Sequence, residues 1–227
     1  MARETIPQQP KLRHLYLECH SHTIEAGLSV LDDASYPTNL LTFLNTDDCC
    51  PDLHSLAGNR MTIELFLPRR HIRKLSWVPG IADSKEAPVP KLVAQALGRI
   101  ETLSLGGYFV RPSLGTLVDH LRELRVLEIV GLSHGQHQKQ EMEMIKRLPN
   151  LRELVISLHG GTMDIPFPNI VDRRQCIQRL FSQCPHLRLI DFVSSWLVIN
   201  EIWYQRWTRG DPSPTLLLST DVRSGRF

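Results

Sequence analysis

The chain of 227 residues is poor in cysteine, in aromatic residues, in long apolar runs and in net charge. Its five cysteines form an odd set with one adjacent pair and no CxxC spacing, which argues against a disulfide framework and against a structural zinc site. No segment approaches the roughly twenty apolar residues of a membrane span, and the first residues lack the apolar stretch of a signal peptide. We therefore expect a protein of a reducing compartment, cytoplasmic or nuclear, that makes no membrane contact.

The charges of the chain nearly cancel. There are 26 basic and 24 acidic residues, and the formal net charge of +2 gives no basic footprint for binding nucleic acid. The one local basic cluster, from Arg69 to Lys74, is interpreted as a solvated turn before a strand rather than as a phosphate site. The hydrophobic share of 42% is enough to bury a sizeable core in one domain, so the composition excludes disorder throughout.

What the chain has in abundance is a short leucine phrase that returns in altered form. The seven copies are KLRHLYL, NLLTFLN, HIRKLSW, RIETLSL, ELRVLEI, NLRELVI and HLRLIDF. Their middle apolar residues, which recur with a mean interval of about 29 residues, are Leu15, Phe43, Leu75, Leu103, Leu127, Leu154 and Ile190. This period is typical of leucine-rich repeats, in which a strand and its helical or irregular return stack on the next pair to form a solenoid.

Within each phrase the fifth and seventh residues share one face of a strand, so Leu103 and Leu105 should point into the core. The residue between them should face outward, onto the concave side of a curved parallel sheet, with helices and loops on the convex side. Helical returns are predicted in KLVAQALGRI, in SLGTLVDHLREL after Pro112, in GQHQKQEMEMIKRL and in NIVDRRQCIQRLFSQC. After the last phrase, EIWYQRWTRGDPSPTLLLSTDV predicts a terminal hairpin that covers the core, with a helix over 200–206 as the alternative.

One segment suggests enzymatic chemistry. The end of LVISLHGGT, His159-Gly160-Gly161, is similar to the oxyanion-hole segment of α/β-hydrolases. That chemistry also needs a GxSxG nucleophile elbow, and the sequence contains none. Two histidine pairs, in HSH and SHGQH, lack the further ligands of a zinc site and are interpreted as loop histidines. We expect no catalytic residue, no cofactor and no metal ion, and we keep a hydrolase that uses His159 as the alternative.

The phrases LPNLRELVISLHG, CPHLRLIDFVSSW and LPRRHIRKLSWVPG resemble the leucine-rich-repeat half of the large F-box protein families of fungi. The resemblance extends from about Lys11 to Trp207. It implies a region that recruits a target protein, while a separate amino-terminal F-box binds the adaptor of a cullin-based ubiquitin ligase. Only about ten residues precede the first repeat, so we expect no F-box in this chain and an adaptor only where an F-box is supplied elsewhere. The asparagine expected after each phrase is missing, which predicts an irregular solenoid.

We thus predict an α/β fold, an irregular leucine-rich-repeat solenoid. It forms a single domain over residues 1–227, with about seven repeats over 11–195 and a C-terminal cap over 196–227. The predicted function is that of a non-enzymatic, monomeric scaffold that binds another protein on its concave face, as the substrate-recruiting part of an F-box-type receptor. A truncated F-box-like product without an independent function is a further alternative.

The residues predicted to face the partner are Tyr16, Glu18, Lys74, Ser76, Ser104, Glu128, Glu153, Val155 and Asp191. Their charges are sparse and mixed, with an acidic tendency at Glu128, Glu153 and Asp191. This mixture suits a protein partner with a mixed or slightly basic patch better than it suits a polyanion.

Overall fold

The chain has an α/β fold built on one mostly parallel sheet. The structure, a computed structural model, describes residues 14–16, 52–78, 88–106, 112–130, 136–157, 170–196 and 201–218. Nine strands lie side by side in chain order: β1 (His14–Tyr16), β2 (Ser55–Gly58), β3 (Lys74–Trp77), β4 (Thr102–Leu105), β5 (Val126–Val130), β6 (Glu153–Ser157), β7 (Leu189–Trp196), β8 (Glu201–Thr208) and β9 (Thr215–Leu218). Strands β1 to β7 are parallel neighbours. The pairings of β7 with β8 and of β8 with β9 are antiparallel.

The middle residue of each phrase sets the register of the parallel strands. The residues aligned across β1 to β7 are Leu15, Leu56, Leu75, Leu103, Leu127, Leu154 and Ile190. From Leu56 onward, none of these side chains is more than 2% exposed. A slip of one residue would move a leucine to the opposite face, so the burial of this row fixes the register. The predicted parallel stacking in chain order is confirmed for six of the seven phrases.

The strand beside β1 differs from the prediction. It is β2, whereas the phrase around Phe43 lies outside the described residues. β2 has Leu53 and Leu56 at the second and fifth positions of a phrase, but Gly58 stands at the seventh. A Cβ on Gly58 would lie 2.6 Å from Cγ2 of Thr62, because this buried threonine fills the space that the expected side chain would occupy. The departure from the phrase therefore has a packing cause.

In the described part of the chain, five α-helices lie between the strands. They are α1 (Arg60–Phe66), α2 (Lys91–Leu97), α3 (Leu114–Leu117), α4 (Gln136–Ile145) and α5 (Ile170–Gln183). The predictions of α2, α4 and α5 are confirmed, while α3 is a single turn that continues as the 3-10 turn Val118–His120. α1, which the sequence analysis missed, begins after Asn59, whose side-chain oxygen accepts the Thr62 N–H at 3.1 Å. None of the described helices is both long enough and apolar enough to cross a membrane.

One apolar core lies between the sheet and the helices. The inward leucines of the strands belong to the same buried cluster as helix residues such as Ile63, Val93, Leu117, Ile145 and Leu180. The helices therefore cover one face of the sheet, and the opposite face carries the residues that alternate with the leucines. Each fully buried aliphatic side chain contributes roughly 1.5–3 kcal/mol, so the repeated leucines are the main source of cohesion between neighbouring strands.

The C-terminal strands form the predicted hairpin, and residues 201–208 are a strand rather than a helix. The turn between β8 and β9 contains Gly210 at φ 93°, a conformation that glycine adopts without strain. Trp207 of β8 lies opposite Ile190 and is 4% exposed within the core. The guanidinium of Arg173 on α5 donates to Gln205 Oε1 at 2.6 Å, which ties β8 to the last helix. The hairpin thus covers one end of the apolar core.

Candidate protein-binding face

The sheet face opposite the core, here named the polar face, is formed by two rows of residues aligned by the strand register. The central row is Tyr16, Ala57, Ser76, Ser104, Glu128, Val155, Asp191 and Arg206, and the row beside it is His14, Ser55, Lys74, Thr102, Val126, Glu153 and Leu189. Eight of the nine residues predicted to face a partner thus fall in these two rows, and Glu18 lies outside the described residues. That a partner binds them stays a prediction.

The polar face is accessible on β2 to β5. Lys74, Ser76 and Glu128 are half-exposed, whereas Ser104 between them is only 7% exposed. The Ser104 hydroxyl donates a hydrogen bond to Glu128 Oε2 at 2.6 Å, which satisfies the hydroxyl and fixes the carboxylate. Lys74 and Glu128 lie two strands and two residues apart, so their Cα atoms are about 12 Å apart across this patch.

On β6 and β7 the central row of the polar face is closed. Val155 is 1% exposed and packs with Val193 and Tyr204 in a second, small apolar cluster. Asp191 is 0% exposed, and Arg206 donates to both of its oxygens, from Nε at 2.9 Å and from Nη2 at 2.8 Å. This hydrogen bonding to Asp191 raises the pKa of Arg206. Val155 and Asp191 therefore face outward as predicted, but a partner cannot touch their side chains while this cluster is packed.

The Ser104–Glu128 pair of the polar face does not have the geometry of an activated nucleophile. The Ser104 hydroxyl meets a carboxylate directly, whereas nucleophilic serines are normally activated through an imidazole between the two groups. Among the described residues, no group of three or more histidine, cysteine or acidic side chains is placed to hold a metal ion. The alternative site at His159 lies outside the described residues.

The basic cluster from Arg69 to Lys74 is only partly solvated. Arg70 is 4% exposed, and its guanidinium carbon lies 4.8 Å from the centroid of the Phe66 ring. This cation–π contact holds Arg70 against α1. Lys74 already belongs to β3 and the polar face. The cluster is therefore divided between a buried contact and an exposed edge, and it does not form one anion site.

A further row, which the sequence analysis did not single out, lies one residue before the strands and is here named the edge row. It consists of His54, Arg73, Glu101, Arg125, Arg152, Arg188 and, following β8, Arg209. Each residue after His54 donates its backbone N–H to the carbonyl of the previous member, at 2.7–3.0 Å. From His54 to Arg152, each carbonyl accepts a second N–H, from the first residue of the next strand. A signal for this row was present, since arginine is the third residue in five of the seven phrases.

Comparison of the sequence with protein-family models and with curated proteins gives no match.

Proposed function

We propose that the chain is an irregular leucine-rich-repeat solenoid that acts as a non-enzymatic scaffold and binds another protein through its polar face. The observation that carries the proposal is the repetition of one local structure in register. Six consecutive phrases or phrase-like segments, from β2 to β7, place a buried leucine or isoleucine at the same strand position. Such stacking leaves the opposite strand face available as a continuous binding surface.

The repeated hydrogen bonds of the edge row support the same proposal. The carbonyls of His54, Arg73, Glu101, Arg125 and Arg152 each accept two backbone N–H groups from the following repeat. These bonds satisfy backbone groups at the turn into each strand. The turns can therefore be stable without asparagine. The missing asparagine, which is the main departure from the leucine-rich-repeat pattern, is thus compatible with a repeat fold.

The binding surface that we propose is centred on Lys74, Ser76 and Glu128. These half-exposed residues provide a basic and a neutral group on β3 and an acidic group on β5, a combination that favours a protein partner over a polyanion. By its resemblance to F-box proteins, the scaffold would recruit a substrate to a ubiquitin ligase. That role also needs an F-box, so the sequence of the transcript upstream of Met1 tests it directly.

The polar face can be tested with the double variant Ser76→Arg and Glu128→Arg. Two long cationic side chains would obstruct the patch and reverse its one accessible acidic charge. We expect a partner captured by the immobilised wild-type chain from a fungal lysate, and then purified, to bind the variant at least about tenfold more weakly, because a central contact is lost. Titration of the purified partner against both proteins by calorimetry measures this change.

The matched control is Gln95→Arg with Glu143→Arg. Both residues are exposed on the helices, and the two substitutions change the net charge by the same amount. The control should bind the partner as the wild type does. If the control loses as much affinity as the polar-face variant, or if every captured protein binds the polar-face variant normally, the proposed surface is wrong.

A further inference from the structure

We propose that the edge row contains a second binding site, formed by Arg152 and Arg188, that takes an acidic segment of a partner protein through its carboxylates. The two arginines are neighbours in the hydrogen-bonded row, with Arg188 N donating to Arg152 O at 2.7 Å. Both side chains are exposed. The site lies at the edge where the strands begin, and it does not depend on the function proposed for the polar face.

The order of charges along the edge row shows that the Arg152–Arg188 site lacks an acidic neighbour within the row. Glu101 lies between Arg73 and Arg125, and its two oxygens pair with them at 2.8 Å and 3.4 Å. That half of the row therefore alternates in sign. From Arg125 onward the members are Arg152, Arg188 and Arg209, so four cations follow one another without an acidic member between them.

Consecutive like charges on neighbouring strands repel each other, so this arrangement is unfavourable unless an anion joins it. Among the residues that the structure describes, no carboxylate forms an ion pair with Arg152 or Arg188. Arg209 is already occupied, since its guanidinium donates to the carbonyls of Leu187 and Cys184. The guanidinium donors that remain for a ligand are therefore those of Arg152 and Arg188, with Arg125 adding attraction at one side.

The chemistry of the row favours a carboxylate ligand. Glu101 shows within the chain that one carboxylate fits between two arginines of this row, two strands apart. The planar guanidinium pairs well with carboxylates and phosphates alike, so geometry alone does not separate the two. The net charge of the chain favours a carboxylate ligand over a polyphosphate such as nucleic acid. A chain of net charge +2, with Glu123 and Glu153 beside the row, gives little attraction for a long polyanion. A short acidic peptide segment that carries two or more carboxylates fits this balance.

The experiment measures fluorescence anisotropy of fluorescein-labelled hexaglutamate titrated with the full chain at low salt. We expect binding to the wild type that weakens as salt is raised, because exposed charges are screened. Hexaglutamine should not bind. The variant Arg152→Glu with Arg188→Glu should lose at least about tenfold in affinity, since both guanidinium partners are replaced by repelling groups.

Two further variants separate a site from a general charge effect. Lys91→Glu with Arg179→Glu changes the net charge equally at exposed helix positions and should stay within about twofold of the wild type. Arg152→Lys with Arg188→Lys keeps the charge but removes the planar fork, so it should bind with intermediate affinity. Circular dichroism of each variant checks that the fold is intact, as expected for exposed side chains.

Three results would overturn the proposal. They are equal binding of hexaglutamine, an equal loss in the helix control, and tighter binding of a single-stranded oligothymidylate of the same charge, which would assign the row to nucleic acid. Failure of the polar-face proposal gives a different result. The variant Ser76→Arg with Glu128→Arg should bind hexaglutamate no more weakly than the wild type, since neither residue belongs to the edge row.

Discussion

Asp191 and Arg206 form a buried ion pair, and replacing either residue alone should lower the free energy of unfolding. The two losses should be unequal, because the two side chains are buried to different degrees. Asp191 is 0% exposed, whereas the Arg206 side chain retains 23% of its exposure. Arg206→Met keeps most of the aliphatic stem but leaves a buried carboxylate without its bidentate donor. Breaking a buried ion pair in this way costs about 3–5 kcal/mol of the free energy of unfolding.

Asp191→Asn should cost less. The amide keeps the shape of the carboxylate, and the partly exposed guanidinium can still reach water. The expected loss is about 1.5–3 kcal/mol, the usual contribution of hydrogen bonds to a charged group. The double variant Asp191→Val with Arg206→Met places apolar groups beside Val155, and its cost should be well below the sum of the two single losses.

Urea unfolding followed by tryptophan fluorescence measures all three values, since Trp77 and Trp207 are buried in the core and become exposed on unfolding. The comparison requires equal m-values, so that differences in midpoint report differences in stability. A cost for Arg206→Met equal to or below that for Asp191→Asn would refute the reasoning. Strict additivity in the double variant would do the same, since it would mean that the two groups are not coupled.

The remaining predictions concern the core and the thiols. Leu127→Ala, at a position with 0% exposure, should lower the free energy of unfolding by about 2.7–5 kcal/mol, whereas Leu92→Ala, at 65% exposure, should change it by less than about 0.5 kcal/mol in the same urea assay. Burial raises the pKa of the Cys176 and Cys184 thiols, so peptide mass spectrometry should show slow alkylation of both in the folded chain and rapid alkylation in urea. For the same reason the unfolded chain ionises these thiols first, and stability should fall as the pH rises above about 8.5; replacing both with alanine should reduce that slope.

The parallel strands were predictable from the sequence because one residue performs two tasks. The middle leucine of each phrase is both the most buried side chain and the marker of the strand register, so its recurrence locates the strand and orients it. The same holds for the stripe of Met142, Ile145 and Leu148, all of which are buried as the helical spacing predicted.

The errors occurred where a neighbour in space replaces what the phrase supplies. At β2 the seventh position of the phrase is glycine because Thr62 fills the space beside it, so the segment does not match the pattern. In the segment of α3, Leu114, Leu117, Val118 and Leu121 are buried, but only 24 residues separate Leu103 from Leu127. This short interval leaves room for one helical turn and a 3-10 turn before β5 begins.

Accessibility of the polar face was harder to predict than its orientation. Alternation along a strand shows which side chains face outward, and that part is local. Whether an outward side chain is exposed depends on the next strand, and β8 is antiparallel to the repeats. It brings Tyr204 beside Val193, and Arg206 beside Asp191. No periodic feature of the phrases encodes that pairing, so the closed part of the face could not be anticipated.

The edge row shows the same distinction at the level of charge. Arginine at the third position of a phrase is visible in the sequence. Whether its charge is neutralised depends on the aligned residue of the next repeat. Arg73 and Arg125 are neutralised by Glu101, which stands where the pattern would otherwise place another arginine. Arg152 and Arg188 have the same sequence context and no such neighbour. A ligand site can therefore arise in a repeat protein where several consecutive repeats keep the same charged residue, here arginine. The repeat that has Glu101 in that place indicates that the ligand carries carboxylates.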